Sequence, residues 1–197
     1  YQASRSLLVQ SAKAELLTTT RVLTRRITLS REEVSRNLQL LAGHPAAALA
    51  AQGRSLPDED QMGTLMEQMM LANPSYFQIR LISASDNGLE RVRVDRAEDR
   101  LVRVRGDDLQ EKGHFSYVSS ALKLATGATF LSRLVINHER GAHAGLDQPS
   151  VILATPVQDP QGKTVGVVVI NLDLNGVFAS LRADLPTDYQ LFLAHRN

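Results

Sequence analysis

The spacing of the apolar residues changes once along the chain, at Asn73-Pro74, and this change limits the fold more than any other feature. Ahead of it, Leu16, Leu23, Ile27, Val34, Leu38 and Leu41 recur at gaps of 7, 4, 7, 4 and 3. That is the spacing of one helical face. Ser30-Arg-Glu-Glu33 is able to cap a fresh start, so the stretch reads as either one long helix or two. Pro57, followed by Asp58, Glu59 and Asp60, opens a further helix, because proline suits the first turn and carboxylates suit the positive end of the dipole. Its stripe is Met62, Leu65, Met66, Met69 and Met70, and Asn73-Pro74 stops it. A methionine row at this spacing reads as core rather than as a binding groove.

Beyond Pro74 the period is two. Tyr76–Ser83 and Leu89–Asp95 alternate around the turn Asp86-Asn-Gly88, which reads as a hairpin, and Leu101–Arg105 extends the sheet. Residues 109–125 read as a helix, with Asp107 or Asp108 at the start and Gly127 past the end. Strands are expected at Ala128–Asn137, Ser150–Val157 and Lys163–Leu172, the last two joined by Asp159-Pro-Gln-Gly162. Asp173 caps a final helix to about Asp184, and Asp188–Ala194 reads as one more strand. A hairpin, a crossover helix and a three-strand meander make a five-stranded antiparallel sheet with helices packed on one side. This α+β plan resembles a PAS-like domain.

Composition narrows the function classes. The 197 residues are 43% hydrophobic, enough for a core, and 22 basic residues face 21 acidic ones. A balanced charge gives no general attraction to nucleic acid or anionic membrane. There is no cysteine, which removes disulfides, zinc–thiolate sites, iron–sulfur clusters and thiol catalysis. The apolar run Val165–Ile170, broken only by Gly166, is far short of the ~20 residues of a membrane helix, and no signal-peptide pattern stands at the start. The chain opens on Tyr1 and closes on a strand without a successor, the expected look of a piece of a longer protein whose membrane anchor and output domain lie outside it.

Catalytic signatures are weak. His138-Glu139 with His143 has a gap of five between the histidines, where a helical zinc site needs four; a loop site with Asp147 is the remaining metal reading, and a solvated connection is the plain one. No nucleophile elbow and no phosphate-cradling glycine loop occur. The paired carboxylates Asp107-Asp108 and Glu32-Glu33 sit at expected helix starts, which already explains them. The chain therefore reads as a non-enzyme with no cofactor and no metal. The arginines carry more information. Six fall between Arg91 and Arg105, interleaved with Glu90, Asp95, Glu98 and Asp99, and most of these side chains read as a solvated face. Arg80, Arg91 and Arg93 stand within strands, where a guanidinium fork facing a pocket receives carboxylate or phosphate. Phe115 and Tyr117, at the start of the crossover helix, are placed to wall such a pocket; plain packing of helix on sheet accounts for them equally well. Alternation puts Arg91 and Arg93 on one face and Val92 and Val94 on the other, and leaves open which face is the pocket.

Several segments together resemble the extracytoplasmic double-Cache sensors, the tandem PAS-like modules of bacterial receptors. They are Phe77-Gln-Ile-Arg80, Gly88-Leu-Glu-Arg-Val-Arg-Val-Asp95, His114-Phe-Ser-Tyr117, Ser132, Asn137-His-Glu-Arg140, Ala154-Thr-Pro-Val157, Gly162-Lys-Thr-Val-Gly166, Val169-Ile-Asn171 and Tyr189–Ala194. The resemblance covers nearly the whole chain. It departs at Ile152, where relatives often carry arginine, and in lacking the tyrosine, arginine and tryptophan cluster of amino-acid-binding relatives. It implies a long N-terminal signalling helix over residues 1–54, a membrane-distal sensing module over 55–172, and a connecting helix with the first strand of a truncated proximal module over 173–197. It further implies a periplasmic position, membrane anchoring by segments outside the chain, and a histidine kinase, diguanylate cyclase or chemotaxis output.

The reading that follows is a ligand-sensing input domain that takes a small, anionic solute of unknown identity. The expected site residues are Arg80, Arg91, Arg93, Phe115, Tyr117 and Ser132, and the expected dimer contact is the N-terminal stripe. Two other readings compete: a module that binds a partner protein and has no small-molecule pocket, and a hydrolase built on the His138 loop.

Overall fold

The computed structural model describes residues 2–133, 135–137 and 148–183. It divides into two compact units, residues 1–33 with 181–197 and residues 34–180. Helix α1, Gln2–Ala42, is continuous, because no glycine or proline interrupts it. Ser30 lies inside it, which settles the choice between one helix and two. In the first unit, the hydroxyls of Thr18, Thr19, Thr20, Thr24 and Thr28 each donate to the carbonyl four residues back, at 2.8–3.0 Å. These bonds keep polar β-branched residues compatible with a helix. Leu7, Leu8, Leu16, Leu17 and Ile27 are each more than half exposed. Among the described residues no helix is long and apolar enough to cross a membrane.

The second unit takes in the end of α1, then α2 (Ala47–Ala51), α3 (Leu56–Ala72), β1 (Tyr76–Ser83), β2 (Glu90–Ala97) and β3 (Arg100–Val104). A single 3₁₀ turn at Gly106–Asp108 and a strap over residues 109–115 lead to α4 (Ser116–Leu122). The short strands β4 (Phe130–Leu131) and β5 (Val135–Asn137), then β6 (Gln148–Gln158), β7 (Thr164–Asp173) and α5 (Leu174–Ala183) complete the order. The sheet runs β3-β2-β1-β7-β6-β4, with β5 also on β6 and every pairing antiparallel. The first strand lies between the second and the last, so β1 is central and its side chains are buried on both faces.

One face carries the main core. Val34, Leu38 and Leu41 of α1, the alanines of α2 and Met62, Met66 and Met70 of α3 pack there on Ile79, Leu81, Val92, Val94, Leu153, Val168 and Ile170. The methionine row is core, and all three of these methionines are fully buried. The compact unit therefore reaches back to Val34, well ahead of residue 55. The opposite face carries a smaller cluster in which Tyr117, Val118 and Ala121 of α4 cover Ile82, Ile152, Ala154, Val167 and Val169. Helices thus cover both faces, not one. The last helix is capped as the sequence implies, with Asp173 Oδ1 accepting from the Asn175 N–H at 2.9 Å.

Among the described residues the sheet has seven strands where the sequence reading gave five, because β3 joins it and the expected strand 128–137 is split. The helix expected over residues 1–54 ends at Ala42, with α2 following separately. Two further elements differ from the sequence reading. The crossover helix is seven residues long, Ser116–Leu122, in place of 109–125. Residues 112 and 113 are held extended by bonds from Lys112 N–H to the Gly88 carbonyl (2.7 Å) and from Gly113 N–H to the Asn87 carbonyl (2.8 Å). A helix cannot make these bonds, and the hairpin turn outcompetes it. The expected strand 128–137 is divided because Ser132 Oγ accepts from the Ile152 N–H at 2.9 Å, taking a ladder carbonyl's place. The hairpin turn itself puts Asp86, Asn87 and Gly88 all at positive φ (54°, 57° and 68°). The His138–Asp147 segment, Glu139 and His143 included, and the strand expected at 188–194 lie outside the described residues.

Candidate functional site

The α4 face of β1 and β2 is polar where a sheet interior is normally apolar. Arg80 on β1 stands directly across from Arg93 on β2, and Gln78 stands across from Asp95 on one side and Asn171 of β7 on the other. Gln78, Arg80, Glu90, Arg93 and Asp95 are all fully buried. Two opposed arginines repel unless carboxylates separate them, and the strand supplies two. Arg93 donates through Nε and Nη2 to the two oxygens of Asp95, each at 3.0 Å, and through Nη1 to Glu90 Oε1 at 3.2 Å. Gln78 Nε2 donates to Asp95 Oδ1 at 2.9 Å. Each buried charge of this cluster therefore stands beside one of the opposite sign, the condition for leaving water without an uncompensated charge.

The two arginines play different parts. Arg93 is gripped in a bidentate fork. Arg80 donates to neutral groups, Tyr117 Oη at 2.6 Å and Asn171 Oδ1 at 2.9 Å, and stands 3.6 Å from Glu90 Oε2. Its guanidinium also lies over the Tyr117 ring, 5.0 Å from the centroid. Tyr117 stacks on the half-exposed Phe115 at 5.6 Å, and the buried Lys112 places Nζ 4.7 Å from the Phe115 ring. The strap is fastened beside them, since Glu90 Oε1 accepts the Gln110 N–H and the Gln110 carbonyl accepts the Glu90 N–H, both at 2.9 Å. A groove of about 560 Å³ opens between the strap and the hairpin turn, lined by Ser83, Asn87, Gly88, Glu111, Gly113 and His114.

Four of the six residues singled out from the sequence come together: Arg80, Arg93, Tyr117 and Phe115. Ser132 does not join them through its hydroxyl, which accepts from Ile152 N–H and donates to the Arg133 carbonyl at 2.7 Å. Arg91 is the departure from alternation. Leu81 pairs with Val92 but Ile82 pairs with Glu90, so Arg91 is the extra residue of a β-bulge. Arg93 and Glu90 then face α4 while Val92 and Val94 enter the main core, and Arg91 leaves the arginine face altogether. It pairs with Asp86 and lines a cleft of about 730 Å³ with Leu56, Pro57, Glu59, Arg103 and Val104. There, burial raises the Glu59 carboxyl above its ordinary pKa, and the nearby Arg91 charge opposes that shift.

The reading of a mostly solvated arginine face also needs correction. Arg96 donates to the carbonyls of Tyr76 (3.1 Å) and Met70 (2.6 Å), and desolvation lowers its pKa. Arg103 binds Glu67 at 2.9 Å and Asp60. Sequence reasoning missed Gln78, Glu90, Asp95 and Asn171. The available signal was the polar residues at every second position of strands that must be central. Among the described residues no group of histidines and carboxylates is arranged to hold a metal ion.

Comparison with known proteins fits this architecture. The family model for the bacterial histidine kinase sensor domain matches residues 10–185. No curated protein matches the sequence. Among solved structures, the extracellular domain of a protein assigned as a histidine kinase superposes with a TM-score of 0.73 at 16% identity, covering 88% of this chain and 62% of that one. A domain of a sensory box/GGDEF family protein from Vibrio parahaemolyticus gives 0.69 at 17% identity, covering 81% and 59%. The ligand-binding domain of the Campylobacter jejuni chemoreceptor Tlp3, in complex with 4-methylisoleucine, gives 0.61 at 14% identity, covering 85% and 61%. The chain therefore spans about three-fifths of the length of these solved domains. By the family model that matches nearly all of its length, the chain belongs to the bacterial histidine kinase sensor domain family.

Proposed function

We propose that this sensor domain is the periplasmic input of a membrane-anchored bacterial receptor and that it recognises a small solute through an anionic group at Arg80 and Tyr117. The observation that carries the reading is the contrast between the two buried arginines. Arg93 is committed to Asp95 and Glu90, whereas Arg80 donates to a phenol and an amide that an incoming carboxylate or phosphate can replace. Phe115 of the strap stacks on Tyr117, and Lys112 sets its Nζ over the Phe115 ring, adding a cation on the same side. Tlp3, a neighbour in fold, is solved with L-valine as well as with 4-methylisoleucine, both small molecules that carry a carboxylate. In this reading residues 55–172 sense, and residues 1–54 are the signalling segment. Its helix α1 pairs with a second copy through the exposed part of its stripe at Leu16 and Ile27 and passes the signal on, the rest of the stripe (Val34, Leu38 and Leu41) being taken by the core. Residues 173–197 lead into a proximal module. The output enzyme or transducer belongs to the rest of the receptor.

The test is a thermal-shift screen of the chain against carboxylates, amino acids, phosphates and amines, repeated on Tyr117→Phe and Arg80→Lys. A ligand at 100 times its dissociation constant adds about 2.7 kcal/mol, a shift of roughly 5–10 °C for a chain of this size. The expected result is a hit among the anions that weakens at least about tenfold in either variant, the loss of one charge-assisted bond. A hit of unaltered affinity in both variants, or no hit at all on the folded chain, overturns the proposal.

A further inference from the structure

We propose that the β-bulge at Arg91 is a coupling element that links the solute site on the α4 face of the sheet to the α2–α3 turn on the opposite face. The inference rests on the reading of Arg80 and Tyr117 as that site.

A regular strand would set Arg91 beside Arg93 and turn Glu90 to the other face, leaving the buried cluster three arginines against the single carboxylate of Asp95. The inserted residue turns Arg91 to the same side as Val92, toward the helices, while Glu90 and Arg93 keep the other face. Two neighbours in the chain are therefore anchored on opposite sides of the sheet. Glu90 holds Arg93, Gln110 and, more loosely, Arg80. Arg91 lies against Gly53, where an added Cβ would stand 2.8 Å from its Cζ, and pairs with Asp86. Gly53, at φ +68°, is the turn between α2 and α3, so no other residue fits there without strain.

The ladder is thinnest at this point. β3 pairs with β2 only from Arg93 onward, and the bulge interrupts the β1 ladder between Leu81 and Ile82. Glu90 and Val92 keep their partners Ile82 and Leu81, and the Gln110 carbonyl holds the Glu90 N–H, so Arg91 between them is the residue that the β1 register leaves out. A solute oxygen that draws the Arg80 guanidinium away from Glu90 removes the cation that stands 3.6 Å from Glu90 Oε2, a buried oxygen with no hydrogen-bond donor, while Oε1 stays held by Arg93 and the Gln110 N–H. The carboxylate then re-seats about that anchored oxygen, and one peptide link, about 3.8 Å between Cα atoms, carries the displacement to Arg91 and the turn it fills. The response cannot exceed the solute's differential affinity for the two arrangements.

The test needs no solute, because coupling is reciprocal and a substitution serves as the perturbation. Amide hydrogen exchange of residues 52–59 is measured in the unsubstituted chain, in Tyr117→Phe, in Arg91→Met and in the double variant, with the centre of β7 as the control for global stability. Tyr117→Phe is expected to speed exchange at residues 52–59 by about threefold or more when Arg91 is present, within the range of measured site–site couplings, and to leave it unchanged with methionine at position 91. Arg91→Lys, a gentler change that guards against misfolding, should keep part of the response. Equal responses in both backgrounds, or none at residues 52–59 while the strap responds, overturn the coupling. A failed solute screen with a positive cycle instead removes the site reading, so the two failures are distinguishable.

Discussion

Removing the Arg93 guanidinium tests the buried cluster most directly. Arg93→Met keeps most of the side-chain volume and deletes three charge-assisted hydrogen bonds, two to Asp95 at 3.0 Å and one to Glu90 at 3.2 Å. Asp95 is then left fully buried beside the Gln78 amide, and Glu90 beside the Gln110 N–H and, at 3.6 Å, Arg80. Breaking a buried pair on one side costs about 3–5 kcal/mol, because the remaining charge keeps its desolvation penalty and loses its compensation. Against a total stability of about 5–15 kcal/mol this is a large fraction. The melting temperature should fall by roughly 6–20 °C for a chain of this size. Urea unfolding followed by near-ultraviolet circular dichroism measures it, with Asp95→Leu and the double variant completing a cycle. The double variant should lose less than the sum of the two single changes, since neither leaves an orphan charge behind in it. A single-variant loss below about 1 kcal/mol, the worth of an exposed ion pair, would refute the argument that these groups are dry and mutually dependent.

Other outcomes follow from the same geometry. Gly88→Ala places a Cβ against the Gly113 backbone at φ +68° and should cost more than Gly127→Ala, where φ is +84° but the space is open; urea midpoints should separate them, with Gly127→Ala near the roughly 1–3 kcal/mol of an unfavourable backbone conformation and Gly88→Ala above it. Met66→Ala, in the fully buried methionine row, should lose about 2–5 kcal/mol by the same measurement. Glu59→Gln reports on the raised carboxyl pKa. The folded state holds that proton more tightly than the unfolded chain, so the glutamate's contribution is best at low pH and declines as pH rises from the ordinary carboxylate value through the raised one. The variant should therefore gain on the unsubstituted chain across that window and keep its advantage above it, as read from melting temperatures between pH 4 and 8. A gap that narrows with rising pH would contradict the burial of Glu59.

Local chemistry was enough for much of this structure. The spacing of Val34, Leu38 and Leu41, the Met62–Met70 stripe and the Pro57 start each follow from side-chain periodicity and from the needs of a helix end. The alternation of Phe77, Ile79 and Leu81, the Asp86-Asn-Gly88 turn and the Asp159–Gly162 turn likewise depend on residues within a few positions of one another. The strap is different. Residues 109–113 have a defensible helical reading, and only the bonds from Lys112 and Gly113 to a turn about 25 residues earlier in the chain hold them extended. Part of the buried cluster on which the proposed site rests was legible too: arginines within strands and aromatics at the start of a crossover helix named Arg80, Arg93, Phe115 and Tyr117, which the fold brings together.

What the sequence by itself determined is the set of elements, their order, and the fact that charged residues stand in strands that must be central. The tertiary structure decided which charges meet. Strand periodicity assigns Arg91 and Arg93 to one face, and a single inserted residue opposite Leu81 and Ile82 separates them. That insertion is a property of the β1–β2 register, and register is set by cross-strand pairing over the whole ladder rather than by either strand alone. In the same way, only the packed structure sets the distance from each arginine to a carboxylate. Arg93 stands 3.0 Å from Asp95 on its own strand, while Arg80 stands 3.6 Å from Glu90 on the neighbouring one and donates to a phenol and an amide, the contrast on which the proposed site rests.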